Sequence, residues 1–365
     1  MADKLYYLGA GASANAIPVI AKLKRRVKEI QIYLDGLYKT NKHSKAIELY
    51  EKIDEISSCF KVLLRGAENY QSIDTYAFFL YRENKRRNEY EDLKKALIVY
   101  FSLEQMLLDI PGDEYWQQID QRYQSLIPLH IQFDNSKTTM LSPLHVISWN
   151  YDVQIELTLS LLKGIGHLND VKENFNIHPN KLSYNATTDL IFDDSQFNII
   201  KLNGNAFIDT SLELGGKVSG LDGMLHPHSN EQKLNYFLDI YSKEYTNKGG
   251  SGHNANKYFN FAWEDDELNE TYPGRSYVFG LSKKMMSAAK QIVIVGYSFP
   301  TTNRMIDIKL FESIQCDRIL IQDGNFKKIF FILGEMFAKI KSTNTDFKIP
   351  KIEHVPFLDE FFIPY

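Results

Sequence analysis

Four places in this chain put small or polar residues directly after a short apolar run, and each suits nucleotide chemistry. Gly9-Ala10-Gly11-Ala12-Ser13 follows Leu5-Tyr6-Tyr7-Leu8. Small residues there let backbone approach a diphosphate, and a helix starting beyond offers unpaired N–H groups and the positive end of its dipole. Asn150-Tyr151-Asp152 follows Val146-Ile147-Ser148-Trp149. An amide and a carboxylate two residues apart can face one ligand, although the same pair also suits a helix cap. Lys201-Leu202-Asn203-Gly204-Asn205 ends a third run, and Gly296-Tyr297-Ser298 ends Ile292-Val293-Ile294-Val295. Glycine and a hydroxyl at that fourth position can meet ribose or phosphate. Singly, each motif is weak; the first lacks the third glycine of a dinucleotide fingerprint.

Such residues need strand ends to hold them. The apolar runs alternate with helically spaced stretches and carry glycine at their ends, which predicts an α/β fold: a Rossmann-like, mostly parallel sheet flanked by helices. In such a sheet ligands lie at the carboxyl ends of strands near the switch in strand order. Between the first and second runs the spacing changes. Ile20, Leu23, Val27, Ile30 and Leu34 recur at three- and four-residue steps, as do Leu49, Ile53, Ile56, Phe60 and Leu63. Residues 19–142 therefore read as a large all-helical insertion after the first strand, broken at Gly36, Asn41 and Pro111-Gly112. Residues 1–18 and 143–365 form the nucleotide-binding part, with a loop-rich, glycine-punctuated segment at 211–275.

Composition narrows the function. The 42 Lys+Arg against 46 Asp+Glu give a formal net charge of −4, which argues against direct nucleic-acid binding. The basic run Lys22 to Arg26 is interleaved with apolar residues and reads as a solvated helix face. Two cysteines, Cys59 and Cys316, build neither a disulfide framework nor a four-Cys zinc site. No apolar run approaches the ~20 residues that span a bilayer, and no signal peptide is legible. The expectation is a cytoplasmic protein with no membrane contact.

Taken in order, GAGAS, Trp149-Asn150-Tyr151-Asp152, Lys201-Leu202-Asn203-Gly204 and Ile292 through Pro300 resemble the sirtuin-like NAD-hydrolase effectors of bacterial antiphage defence systems. The likeness covers the Rossmann part and not the helical insertion. It implies an NAD glycohydrolase that converts NAD, its substrate, to nicotinamide and ADP-ribose. It makes Asn150, Asp152 and Asn203 the catalytic group. The nucleotide contacts it implies are Gly9, Ala10, Gly11, Ser13, Asn150, Asp152, Gly296, Ser298 and Asp323. It further implies a homo-oligomer, with a companion such as a DNA-translocase-type ATPase, and the Tyr- and Leu-rich helical insertion is the surface expected to meet it. The aromatic tail from Phe361 to Tyr365 is expected to dock on the body or on a neighbouring subunit.

Three departures from that pattern bear on chemistry. The zinc-binding Cys quartet of protein deacylases is absent, so no zinc is expected and deacylation is disfavoured. Ile17-Pro18 is followed by Val19-Ile20 instead of the Asp-Phe-Arg of the family. Asn203 stands where the family has a histidine base. A neutral amide can hydrogen-bond a ribose hydroxyl but cannot take its proton, and loss of a general base costs about 10²- to 10⁴-fold in rate. A natural variant that binds more than it cleaves and an inactivating replacement both fit. His145 and the pair His226 and His228 are the other histidines weighed as a base; loop histidines are more often simply solvated. The alternatives are a non-catalytic NAD- or ADP-ribose-binding regulatory subunit and an NAD-dependent deacylase.

Overall fold

The computed structural model describes residues 4–40, 46–70, 72–107, 109–112, 116–134, 137–180, 192–207, 229–241, 259–261, 263–264 and 275–364. Lys4–Leu8 (β1) is buried on both faces, as parallel strands flanked by helices are. A short 3-10 turn at Ala10–Ser13 leads into helices Ile20–Thr40 (α1), Ala46–Asn69 (α2), Ile73–Arg82 (α3) and Arg87–Met106 (α4). The residues spaced for one helix face, Leu23, Val27, Ile30 and Leu34 in α1 and Ile53, Ile56, Phe60 and Leu63 in α2, are all buried. α1 runs straight through Gly36, whose missing Cβ would meet nothing within 4 Å. A glycine costs a helix only about 0.5–1 kcal/mol relative to alanine, so packing on either side overrides it. Asn41 lies outside the described residues. Pro111-Gly112 does separate α4 from Gln121–Leu126 (α5).

The insertion is not helical to its end. Ile131–Asp134 (β2) and Lys137–Met140 (β3) pair as an antiparallel hairpin. Ile131, Thr138 and Thr139 are β-branched, and this local preference outweighs the helical spacing before it.

His145–Ser148 (β4) returns to the main sheet. Gln154–Lys163 (α6), closed by left-handed Gly164, and Leu168–Asn174 (α7) lead to Ile177–His178 (β5) and Asn198–Lys201 (β6). Asn230–Tyr241 (α8) is a helix within the stretch whose glycines predict loop. The rest of 211–275, apart from 229, 259–261, 263–264 and 275, lies outside the described residues, as do His226 and His228. Arg275–Ala288 (α9), Gln291–Val295 (β7), Arg304–Phe311 (α10), Arg318–Gln322 (β8), Phe326–Thr343 (α11) and Lys351–His354 (β9) complete the chain.

The seven strands lie in the order β5-β6-β4-β1-β7-β8-β9, all parallel. This is the Rossmann-like architecture that the sequence predicts. The chain fills one side of β1 first and then crosses to β7 on its other side, so the switch point falls at the carboxyl ends of β1 and β7. Tyr6 and Leu8 of β1 point into one core, shared with the helical insertion and α6. Leu5 and Tyr7 point into the other, shared with α9, α10 and α11. Over β7 and β8 the first core is closed by the C-terminal tail. Val355 and Phe361 pack there, and the Gln322 amide donates to the carbonyls of Phe357 (2.8 Å) and Glu360 (2.5 Å) and accepts from Phe362 N–H (3.0 Å). The aromatic tail thus docks on the chain's own body. Of the described residues, no helix is long and apolar enough to cross a membrane.

Candidate functional site

The glycine turn after β1 and the turn after β7 lie directly against each other. Gly9 N–H donates to Val295 O (3.0 Å), Gly11 N–H to Gly296 O (2.9 Å), and Gly296 N–H to Gln322 O (3.2 Å). A Cβ on Gly9 or Gly11 would come within 2.6 Å of the β7 turn backbone. The room left by these two glycines is therefore filled by the neighbouring turn, and Ala10 is the exposed residue of the five.

Ser13, fully buried, is the hub of the next layer. Its hydroxyl accepts from Asn150 Nδ2 at 3.1 Å and shares a hydrogen bond with Tyr123 Oη at 3.2 Å. Asn150 is 5% exposed, and its Oδ1 has no partner. Turning the amide over would only exchange which end is left over, so one polar end of a buried side chain stays unmatched in either orientation. Asp152, two residues ahead of Gln154, accepts from its N–H at 3.1 Å where α6 begins. Burial pushes its carboxyl above the ordinary carboxylate range, against the pull of Lys201, Gln154 N–H and the Ser13 hydroxyl. Tyr151 turns away: its hydroxyl bonds Asp74 of α3 and its ring packs on Phe101, Phe259 and Phe261.

The third motif sits one strand further out. Asn203 Nδ2 donates to Trp149 O at 3.0 Å, and Asn260 N–H closes over Asn203 O at 3.1 Å. Lys201 is buried with Glu156 at 3.3 Å, reaches Asp152 O, and Asn205 Nδ2 donates to the same Glu156 at 3.0 Å. This pair ties the Asp152 loop to β6. Breaking a buried pair by removing one partner strands the other charge, at a cost of about 3–5 kcal/mol.

Three residues that sequence reasoning missed come from the insertion. Asp120, fully buried, accepts from Asn15 N–H (3.1 Å), Arg122 Nε (2.9 Å) and Arg122 Nη2 (2.6 Å), while its own N–H donates to Gln154 Oε1 (2.8 Å). Arg122 Nη2 also donates to Gly11 O at 3.0 Å. Burial opposes the guanidinium charge. The hydrogen bonds it donates to Asp120 and the charge of that carboxylate more than restore it, so its pKa is raised. With Tyr123 on Ser13, the insertion is part of the strand-end site. The only local signal was the Asp120 cap of α5.

Beneath the site, on the opposite face of the sheet, Asp307 of α10 locks three strand ends together. Tyr7 Oη donates to it at 2.6 Å and Tyr297 Oη at 3.0 Å, while Trp149 Nε1 donates to Tyr7 Oη at 2.8 Å. Burial, offset by the two tyrosine hydrogen bonds, raises the Asp307 carboxyl from 3.8 to about 7. The folded state therefore keeps a proton that an unfolded aspartate gives up near pH 4. This contribution to stability is full below about pH 4, is lost as pH rises to about 7, and is flat above. Asp307→Asn mimics the protonated acid, so it is expected to remove a slope of up to about 1.4 kcal/mol per pH unit. Guanidinium unfolding of both proteins at pH 5 and pH 8 checks this: the variant should gain on the wild type at pH 8, and equal differences at both values would refute it.

Ser298 is exposed at the end of β7, and Asp323 is half-buried at the end of β8, its carboxylate accepting from Asn325 N–H at 2.7 Å. Burial raises the Asp323 carboxyl. Asn203, Asn150, Ser13, Ser298 and Asp323 thus all lie along one carboxyl edge. From β6 to β8 that edge spans four strand spacings of about 4.8 Å each, a length suited to an extended dinucleotide. His145 begins β4 at the opposite end of the sheet, which removes it as a base for this edge, and burial depresses its pKa to about 4. A separate groove of about 530 Å³ lies between α1 and α2, lined by Lys28, Gln31, Asp35 and Asp54, away from these residues. Among the described residues no group of three or more His, Cys, Asp or Glu side chains could hold a metal ion. No protein-family description and no curated protein matches the chain.

Proposed function

We propose that the carboxyl edge of this sheet binds NAD or ADP-ribose, and that the chain is by descent a sirtuin-like NAD glycohydrolase of antiphage defence. The observation that carries the reading is Asn150: its amide bonds Ser13 at one end and has an unmatched, buried end at the other, on the strand next to the switch point of the sheet. An unmet buried polar group costs about 1–3 kcal/mol, which a ligand hydroxyl or amide would relieve. In the reaction the bond between nicotinamide and ribose C1′ breaks, nicotinamide leaves, and water adds at C1′ to give ADP-ribose and a proton. Asn150 orients the ribose, Asp152 stays close through Ser13, and Asn203 contributes a hydrogen bond without taking a proton. The neutral Asn203 favours a second reading, a regulatory subunit that binds the nucleotide without turnover. An NAD-destroying protein also needs restraint, for which a homo-oligomer or a companion ATPase meeting the insertion is the proposed means.

Calorimetric titration with NAD, followed by chromatography for nicotinamide, tests this. Asn150→Ala is expected to weaken binding at least tenfold, since it removes a charge-free but buried hydrogen-bond anchor. Wild-type binding with no nicotinamide supports the regulatory reading. Unchanged affinity in Asn150→Ala removes Asn150 from the site.

A further inference from the structure

Lys351 N–H donates to Asp317 O at 2.8 Å and Val355 N–H to Ile321 O at 2.9 Å, so every second residue of β9 turns its backbone groups toward β8. Ile352 and His354, between them, turn theirs outward, and among the described residues no strand pairs with that side. Side chains alternate too. Lys351 and Glu353 share one face, where their charged ends lie 3.1 Å apart and Arg318 Nη2 meets Glu353 at 2.6 Å. Ile352 and His354 share the other face, beside α11. Ile352 packs on the core there, and the His354 ring stacks on Phe326 with 4.4 Å between centroids. Phe330, one turn on from Phe326 and 5.7 Å from it, is 49% exposed, and Phe331 is 65% exposed. An open strand edge with aromatic rings beside it is a template for another strand. The sheet's other edge, β5, is two residues long and offers no comparable template.

We propose that the β9 edge pairs with the same edge of a second copy of this chain, antiparallel about a two-fold axis at Ile352, to make one sheet across two chains. Ile352 then exchanges N–H and C=O bonds with Ile352 of the second copy, and each His354 N–H reaches Pro350 O across the axis. Pro350 has no N–H to leave unpaired there. Charge selects this register. It sets Lys351 directly opposite Glu353 of the second copy, and by symmetry Glu353 opposite Lys351. These are non-hydrogen-bonded pairs, whose side chains approach most closely. Sliding to the next register in either direction sets Glu353 against its own copy or Lys351 against its own copy, and like charges directly opposite are destabilising. On the other face, Pro350 of the second copy comes opposite His354 and its Phe326 stack. The contact is isologous and uses up the open edge, so it closes at two chains instead of growing into a fibre. It is independent of the nucleotide reading and involves neither the helical insertion nor Asn150.

Sedimentation velocity of the full chain, up to about 100 µM, tests the idea. The wild type is expected to dimerise. Lys351→Glu changes a side chain that is 77% exposed, sets Glu against Glu in both symmetry-related pairs, and is expected to weaken the dimer about 5- to 30-fold. Adding Glu353→Lys exchanges the two charges, makes the pairs opposite again, and is expected to recover the wild-type dimer. Ile352→Pro removes the N–H at the axis, which does not bond β8, and is expected to give a monomer; circular dichroism shows whether it is folded. If it is not, the charge exchange decides alone. A monomeric wild type overturns the inference. So does a dimer that Lys351→Glu leaves unchanged, or one that the double variant fails to recover.

Discussion

Replacing Asn203 with His is expected to raise nicotinamide release from NAD by about 10²- to 10⁴-fold, the usual worth of a positioned general base. Asn203 donates from Nδ2 to Trp149 O at 3.0 Å and is almost fully buried. An imidazole in its place can make the same donation from one ring nitrogen, which fixes the tautomer and leaves the other nitrogen as an acceptor. Burial disfavours the imidazolium, so that nitrogen is expected to be a free base at pH 7. Single-turnover chromatography of NAD with the wild type and the variant measures the gain. Tight ADP-ribose binding by the variant with no nicotinamide formed would establish the regulatory reading instead.

Gly296→Ala is expected to cost about 2–5 kcal/mol of stability. Gly296 has φ of 59°, where an L-residue pays roughly 1–2 kcal/mol. Its Cβ would stand 2.4 Å from Gly11 Cα and carbonyl carbon and 2.6 Å from Ala12 N. These are backbone atoms of the facing turn and cannot swing aside, and overpacking of this kind adds about 1–3 kcal/mol. Gly334→Ala is the control. It lies in α11 with nothing within 4 Å of the new methyl, and should stabilise by about 0.5–1 kcal/mol. Guanidinium unfolding of the three proteins decides. A Gly296→Ala protein within 0.5 kcal/mol of wild type would mean that the two turns do not pack as described.

The sheet was largely legible because buried parallel strands are short apolar runs that end in glycine. Leu5 to Leu8, Asn198 to Lys201, Ile292 to Val295 and Arg318 to Ile321 carry that signature, Val146 to Ser148 carries the apolar run with Asn150 and Asp152 after it in place of glycine, and all five are strands. β9 did not, since Lys351-Ile352-Glu353-His354 is an edge strand with polar, partly exposed residues and no apolar run. β5, two residues long, is too short to show any period. For the site, the strand-end motifs were visible, but not what meets them. Asp120, Arg122 and Tyr123 reach the glycine turn from more than a hundred residues away. Their six-residue helix α5 looks like any other polar stretch of the insertion. Likewise the glycines of the first motif suggested open room for a diphosphate. Only the fold shows that the β7 turn occupies it. Contacts of this kind have no local signal, because the residue types that make them are set by partners elsewhere in the chain.

Under the proposed function a dinucleotide lies along the carboxyl edge from β6 to β8 with its ribose at Asn150. A crystal structure of the protein soaked with ADP-ribose tests it most directly. The proposed function predicts a ligand atom within hydrogen-bonding distance of the unmatched end of the Asn150 amide, the diphosphate beside Ala10, and the adenosine over Ser298 and Asp323. Ligand density in the groove between α1 and α2, or at the edge but out of reach of Asn150, would contradict it.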